Sequence, residues 1–141
     1  MYRRRMVRRG QQGKKQLRQA RRDLAKQLDD GRGQYLPPKR TECHERSWQT
    51  PGDDLCTLRL DNHTWMQGGV LVDFVINLQV LSTDGWVTVE YIDCCHGHCH
   101  HHSQNGTDPA TILCLDTVDD VRAAFRAAQL VIYERLASIR T

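Results

Sequence analysis

The stretch from Val70 to Leu81 alternates between two faces with a period of two residues. One of these faces is entirely apolar and consists of Val70, Val72, Phe74, Ile76, Leu78 and Val80. A strand with a single apolar face lies with that face against a core, while its other face is free to be polar. The chain is therefore expected to contain a β-sheet that is covered on one side.

Turn signals on either side of this stretch predict that the sheet is antiparallel. The segment Ser82–Gly85 ends in Asp-Gly and the segment 103–106 ends in Asn-Gly, and both dipeptides favour tight hairpins. A loop is expected to begin at Asn62–His63 and to end at Gly68–Gly69. Alternating or apolar runs predict further strands at 55–60, 86–93 and 110–116. The predicted sheet has about four or five strands.

A long helix is predicted to follow the sheet. The Thr117 hydroxyl suits an N-cap, and the acids Asp119 and Asp120 match the positive end of the helix dipole. Apolar residues then recur every three or four positions, at Val121, Phe125, Ala128, Ile132, Leu136 and Ile139. This stripe can cover the sheet, so the predicted fold class is α+β, a small antiparallel sheet under a C-terminal helix over residues 55–141.

Charge divides the chain into a basic arm and an acidic remainder. Residues 1–28 hold eleven Lys/Arg and one acid, whereas the rest of the chain holds nine Lys/Arg and sixteen acids, so the net charges are +10 and −7. We assign residues 1–34 to the arm, with a helix at about 14–28, and residues 35–54 to a linker that carries Pro37–Pro38.

The arm has two interpretations, a solvated helix and a segment that orders on nucleic acid. RNA is the expected nucleic acid rather than DNA, with contacts to backbone phosphates. The candidate nucleic-acid-binding residues are Arg3, Arg4, Arg5, Arg8, Arg9, Lys14, Lys15, Arg18, Arg21 and Arg22. No run of the sequence has the roughly 20 apolar residues of a membrane span, so we expect a cytoplasmic protein that does not contact membranes.

Five of the seven histidines lie in the stretch from Asp93 to His102, which we interpret as one strand with a bulge at Gly97. Alternate strand residues are about 7 Å apart and can share one metal ion, whereas residues i and i+4 cannot. His100 and His102 are therefore the candidate metal pair, with zinc as the candidate ion. Further ligands would come from neighbouring strands, from the loop at 62–63, or from Cys43–His44.

Acid–base chemistry is the second interpretation of this stretch. Two histidines on one face could remove and return a proton during RNA cleavage, with Arg59 or the basic arm as the cation for the phosphate. The candidate catalytic residues are His96, His100 and His102. A third interpretation is that the histidines only form a polar sheet face.

The motifs from Gly69 to about Ala137 resemble a family of small uncharacterised bacterial and phage domains. The shared pattern is a G-V-x-V-D-F strand at Gly69–Phe74, an I-D-x-x-H-G-x-x-H-x-H strand at Ile92–His102, a turn at Asn105–Gly106 and a C-terminal helix. The resemblance implies that His96, Gly97, His100 and His102 are the positions of interest. More distantly, Asp61–Asn62 with His100 and His102 is similar to a D-N…H-x-H signature of toxin domains of toxin–antitoxin pairs.

Three functions follow as expectations. The first is a small nucleic-acid-associated protein, in its enzymatic form a toxin-like ribonuclease with an antitoxin or other protein partner. The second is a zinc-binding module that uses the same histidines. The third is a non-catalytic interaction protein of a phage or mobile element.

Overall fold

Every strand of the sheet pairs with the next strand along the chain. The computed structural model describes residues 8–29, 33–95, 97–104 and 109–140, and within them one antiparallel sheet has the order β1-β2-β3-β4-β5-β6. Its strands are β1 (His44–Pro51), β2 (Leu58–Gln67), β3 (Val70–Ser82), β4 (Gly85–Cys95), β5 (His98–His102) and β6 (Ala110–Cys114). The helices are α1 (Arg8–Asp29) before the sheet and α2 (Asp119–Arg140) after it. The predicted α+β class is confirmed.

Helix α2 covers one face of the sheet. Its buried residues are Val121, Ala128, Ile132 and Leu136 of the predicted stripe, and also Ala124, which was not part of it. Phe125, from the same predicted stripe, meets Phe74 edge-on with ring centroids 5.1 Å apart. The sheet contributes buried residues from its central strands, including Leu60, Phe74, Ile76, Leu78 and Ile92. We call the opposite side of the sheet the outer face; it carries Asp61, His63, Val75, Asn77, Tyr91, Asp93, His100 and His102.

The predicted loop at 62–69 is replaced by a strand and a tight turn. Strand β2 runs through Asn62 and His63, because Asn62 is buried and donates hydrogen bonds to the Trp48 carbonyl and the Thr50 hydroxyl. Gly68 and Gly69 form the turn to β3, and both have positive φ, at 58° and 78°. Positive φ at two successive positions is what a type I′ hairpin requires.

The predicted linker over 35–54 also contains regular structure. A 3₁₀ helix spans Arg40–Glu42, and β1 pairs with β2 along its whole length. Most side chains of β1 are exposed, since it is an edge strand, and the sequence therefore lacks the apolar alternation that marks a strand. Helix α1 likewise begins at Arg8 rather than at about residue 14.

Residues 33–43, which we call the strap, connect α1 to β1 past the β4–β5 turn. The Tyr35 N–H donates to the Leu115 carbonyl at 2.9 Å and its hydroxyl donates to the Val72 carbonyl at 2.8 Å. Burial raises the pKa of Tyr35 to about 12. Arg40 forms a 2.8 Å ion pair with the buried Asp73 and lies over the Trp65 ring. The strap therefore belongs to the folded domain.

Candidate functional site

The histidine-rich stretch is a hairpin and not the single strand that the sequence suggested. Strand β4 ends at Cys95 and β5 begins at His98, which is paired with Cys95. His96 lies outside the described residues, and Gly97 has a φ of 80°. Where a bulge was predicted, the chain reverses, because this glycine adopts a left-handed conformation that turns the backbone.

The hairpin brings an acid from β4 opposite the histidines of β5. Asp93 pairs with His100, and Tyr91 pairs with His102. Directly paired residues of antiparallel strands project from the same face, so Asp93, His100 and His102 share the outer face. In one continuous strand Asp93 would lie on the side opposite His100 and His102, because it is an odd number of residues away from both; the turn changes the phase of β5 relative to β4 and brings all three to one face.

These three side chains form a compact cluster. Each offers one ligand atom, and the three atoms all lie within 4.8 Å of one another. His102 Nε2 lies 3.4 Å from Asp93 Oδ1, and both side chains are about three-quarters buried. Asp93 Oδ1 is buried and accepts no hydrogen bond from the residues that the structure describes. The predicted pair His100 and His102 is thus joined by a carboxylate from the neighbouring strand.

Ring stacking holds both histidines in place. The His102 ring stacks on Tyr91 at a centroid distance of 4.1 Å, and the His100 ring stacks on His98 at 5.6 Å. The His100 and His102 rings are 6.1 Å apart and close to perpendicular. Neighbouring aromatic rings restrict the rotamers of the two histidines, so the cluster is positioned before any ligand arrives.

His101 faces the other side of the sheet, toward α2. Its side chain is 13% exposed, and Nε2 lies 4.0 Å from Glu90 Oε1. Burial lowers the pKa of His101, and the nearby Glu90 charge opposes this effect only in part. His101 cannot join the cluster of the outer face.

Glu90 and Arg135 form a buried ion pair that the sequence did not predict. Glu90 has no exposed surface, and Arg135 of α2 binds it with Nε and Nη2 at 2.9 to 3.1 Å. The Gln104 N–H also donates to Glu90 Oε1. The hydrogen bonds from Arg135 to Glu90 raise the pKa of Arg135. A register shift between Leu78 and Gln79 accompanies this arrangement, and such a shift has no clear sequence signal.

Arg59, the candidate phosphate cation, lies far from the histidines. It hydrogen-bonds Gln79 at 2.7 Å and lies over the Trp86 ring at 4.2 Å. Gln79 pairs with Thr88, which precedes Asp93 by five residues, or about 17 Å along β4. The structure therefore does not bring Arg59 to the cluster.

Asp61 and Asn62 also remain apart from the histidine pair. Asp61 is on the outer face, three strands and about 14 Å from His102, whereas Asn62 points to the core side. Burial alone would raise the pKa of Asp61, but hydrogen bonds from Gln49, His63 and Asn77 and the proximity of His63 lower it overall.

The described part of the basic arm is helical and exposed. Lys14, Lys15, Arg18, Arg21 and Arg22 all have exposed side chains on α1. Arg8 and Arg9 belong to the same helix, and Arg3, Arg4 and Arg5 lie outside the described residues. Neither α1 nor α2, as far as they are described, is long and apolar enough to cross a membrane.

Comparisons with known proteins found no relative of this chain. A scan against protein-family models gave no match, and searches of curated proteins and of solved structures gave none either. The functional assignment therefore depends on the residues and the geometry described above.

Proposed function

We propose that the protein binds a divalent transition metal through Asp93, His100 and His102. The observation that carries this proposal is the convergence of three ligand atoms from β4 and β5 within 4.8 Å of one another. The buried Asp93 Oδ1 supports it, because this oxygen accepts no hydrogen bond from the described residues, although His102 Nε2 is 3.4 Å away, and a bound cation would satisfy it. Imidazole and carboxylate ligands suit zinc, which is the expected ion.

The composition of the cluster favours a reactive centre over a structural one. Structural zinc sites are usually closed by four protein ligands, whereas catalytic sites have three and leave a position for water or substrate. Among the residues that the structure describes, Asp93, His100 and His102 supply three, and they lie on the outer face, on the side of the sheet opposite α2. The proposal is therefore a metal centre that accepts an exogenous ligand.

Metal-independent RNA cleavage by His100 and His102 has less support. Such a reaction needs a cation close to the phosphate in addition to the two proton-transfer groups. The residue expected to provide it, Arg59, is bound to Gln79 and Trp86 at a distance, and the charged group next to the histidines is the carboxylate of Asp93. A carboxylate at this position attracts a metal cation and repels a phosphate.

The metal content of untagged protein tests the proposal. Protein purified without chelator should contain about one zinc per chain by elemental analysis, and calorimetric titration of the metal-free form with zinc, cobalt and manganese should rank the ions. Asp93→Asn and His100→Ala should each weaken zinc binding by at least about tenfold, because each removes or neutralises a ligand.

His63→Ala is the matched control. His63 is also on the outer face and also bonds a carboxylate, with Nε2 2.7 Å from Asp61 Oδ2, but it does not belong to the cluster. Its substitution should leave the zinc affinity unchanged. Zinc binding that survives Asp93→Asn and His100→Ala, or that His63→Ala weakens equally, would show that the metal binds elsewhere.

A further inference from the structure

One face of α1 lies toward the folded domain. Gly13, Leu17 and Ala20 recur at i, i+4 and i+7 and therefore share a side of the helix. A Cβ on Gly13 would lie 2.5 Å from Glu134 Oε1 of α2. Leu17 and Ala20 line a cavity of about 270 Å³ together with Ile112 of β6, Val131 of α2 and other residues. The small and apolar side of α1 is thus the side that contacts the domain.

The opposite side of α1 is a basic stripe. Lys15, Arg18 and Arg22 recur at i, i+3 and i+7, and all three are exposed. Lys14 and Arg21 lie together on one side of this stripe and are exposed as well, and Arg21 also lines the cavity between α1 and the domain. Between residues 13 and 23 the one acid is Asp23, which accepts a hydrogen bond from Gln19 at 3.0 Å. Five cations therefore project from three turns of helix, and the single acid among them offsets little of their positive charge.

The orientation of α1 determines which partner this stripe suits. Because its contact side faces β6 and α2, the stripe points away from the acidic domain and cannot be neutralised by it. An amphipathic helix that binds membranes presents large apolar residues beside its basic ones, but Leu17, the large apolar side chain among residues 13–23, is on the contact side. A partner that carries many phosphates and makes no apolar contacts suits this stripe better than a membrane does.

We propose that the stripe formed by Lys15, Arg18 and Arg22 binds the phosphate backbone of nucleic acid while α1 remains on the domain. Contacts of this kind are made to phosphates, so binding should be independent of base sequence and should weaken as salt increases. This proposal is independent of the metal centre, because Asp93, His100 and His102 lie on β4 and β5 and not on α1.

Fluorescence anisotropy with a labelled 20-nucleotide single-stranded RNA of mixed sequence tests the proposal at several salt concentrations. The triple variant K15A/R18A/R22A should lose three contacts, so the slope of log K against log salt should become shallower by about 2. Its affinity near 0.1 M salt should fall more than about tenfold. Alanine favours helix, so α1 should persist in the variant, which circular dichroism can verify.

The variant K39A/R122A/R126A is the matched control, because it removes three exposed cations from elsewhere and changes the net charge equally. It should retain the affinity and the salt slope of the wild type. An equal loss in both triple variants would mean that net charge alone attracts RNA and would overturn the proposal. Absence of RNA binding, with binding instead to vesicles rich in phosphatidylserine, would also overturn it.

Discussion

At the scale of single residues, the β4–β5 turn decides which histidines act together. The spacing of His100 and His102 was sufficient to predict that they share a face, since alternate residues of a strand always do. Asp93 could not be added to them from the sequence, because its side depends on whether the chain continues straight or reverses at Gly97. The turn at Gly97 is thus the reason that the histidines form a cluster with a carboxylate and not a row along a single strand.

Gly97→Ala should destabilise the protein by about 3 kcal/mol. An L-residue at a φ of 80° is strained by about 1–2 kcal/mol, and the new Cβ would overlap the carbonyl oxygen of Gly33, which adds about 1–3 kcal/mol. Urea unfolding followed by circular dichroism measures the effect. Gly68→Ala is the control, because Gly68 also has positive φ but has open space around its Cβ position, so about 1 kcal/mol is expected. Equal losses in both variants would mean that the strap does not restrict Gly97.

At the scale of elements, α2 is connected to the sheet by an ion pair in addition to apolar packing. The fully buried Glu90 of β4 is neutralised by Arg135, whose side chain is 34% exposed. A buried carboxylate that loses its partner is strongly destabilising, whereas the intact pair itself contributes less. The pair therefore serves to keep this part of α2 in one position over the sheet.

Arg135→Ala should lower the free energy of unfolding by about 3 kcal/mol or more, because it leaves the charge of Glu90 buried without its main partner. Arg122→Ala removes an exposed arginine from the same helix and should change stability by less than about 0.5 kcal/mol. Chemical denaturation of both variants at pH 7 provides the comparison. If Arg135→Ala is as stable as Arg122→Ala, water or another group must compensate Glu90.

The elements that the sequence predicted correctly are those with a regular apolar pattern. Strand β3 and helix α2 each bury one apolar side, and their periodicity was visible in the sequence. Strand β1 is an exposed edge, and its pairing with β2 leaves no such pattern. The polar part of β2 at Asn62 has the sequence pattern of a loop, because its burial depends on hydrogen bonds to β1, which are tertiary contacts.

At the scale of the whole molecule, the folded unit begins at the strap and not at residue 55. Helix α1 contributes no buried side chain between residues 13 and 23. Two strap residues, the partly buried Tyr35 and the half-exposed Arg40, bind Val72 and Asp73 of β3. Basic arm and acidic domain are thus adjacent but contribute unequally to stability. We therefore expect that the eleven basic residues of the arm can be removed without disturbing the core.

Two truncations locate this boundary. Deletion of residues 1–28 should change the free energy of unfolding by less than about 1 kcal/mol, because none of the side chains described on α1, those of residues 13–23, is buried. Deletion of residues 1–43 should lower it by more than about 3 kcal/mol, since it removes the packing of Tyr35 and leaves the buried Asp73 without Arg40. Thermal and chemical unfolding of both forms, followed by circular dichroism, measures the difference.

If the longer deletion is as stable as the shorter one, the strap is only a connection and the domain begins at β1. If instead both deletions lower the free energy of unfolding by more than about 3 kcal/mol, the deleted arm must contribute to the stability of the domain. The expected result, a large loss only in the longer deletion, would place the arm outside the folded unit and the strap within it.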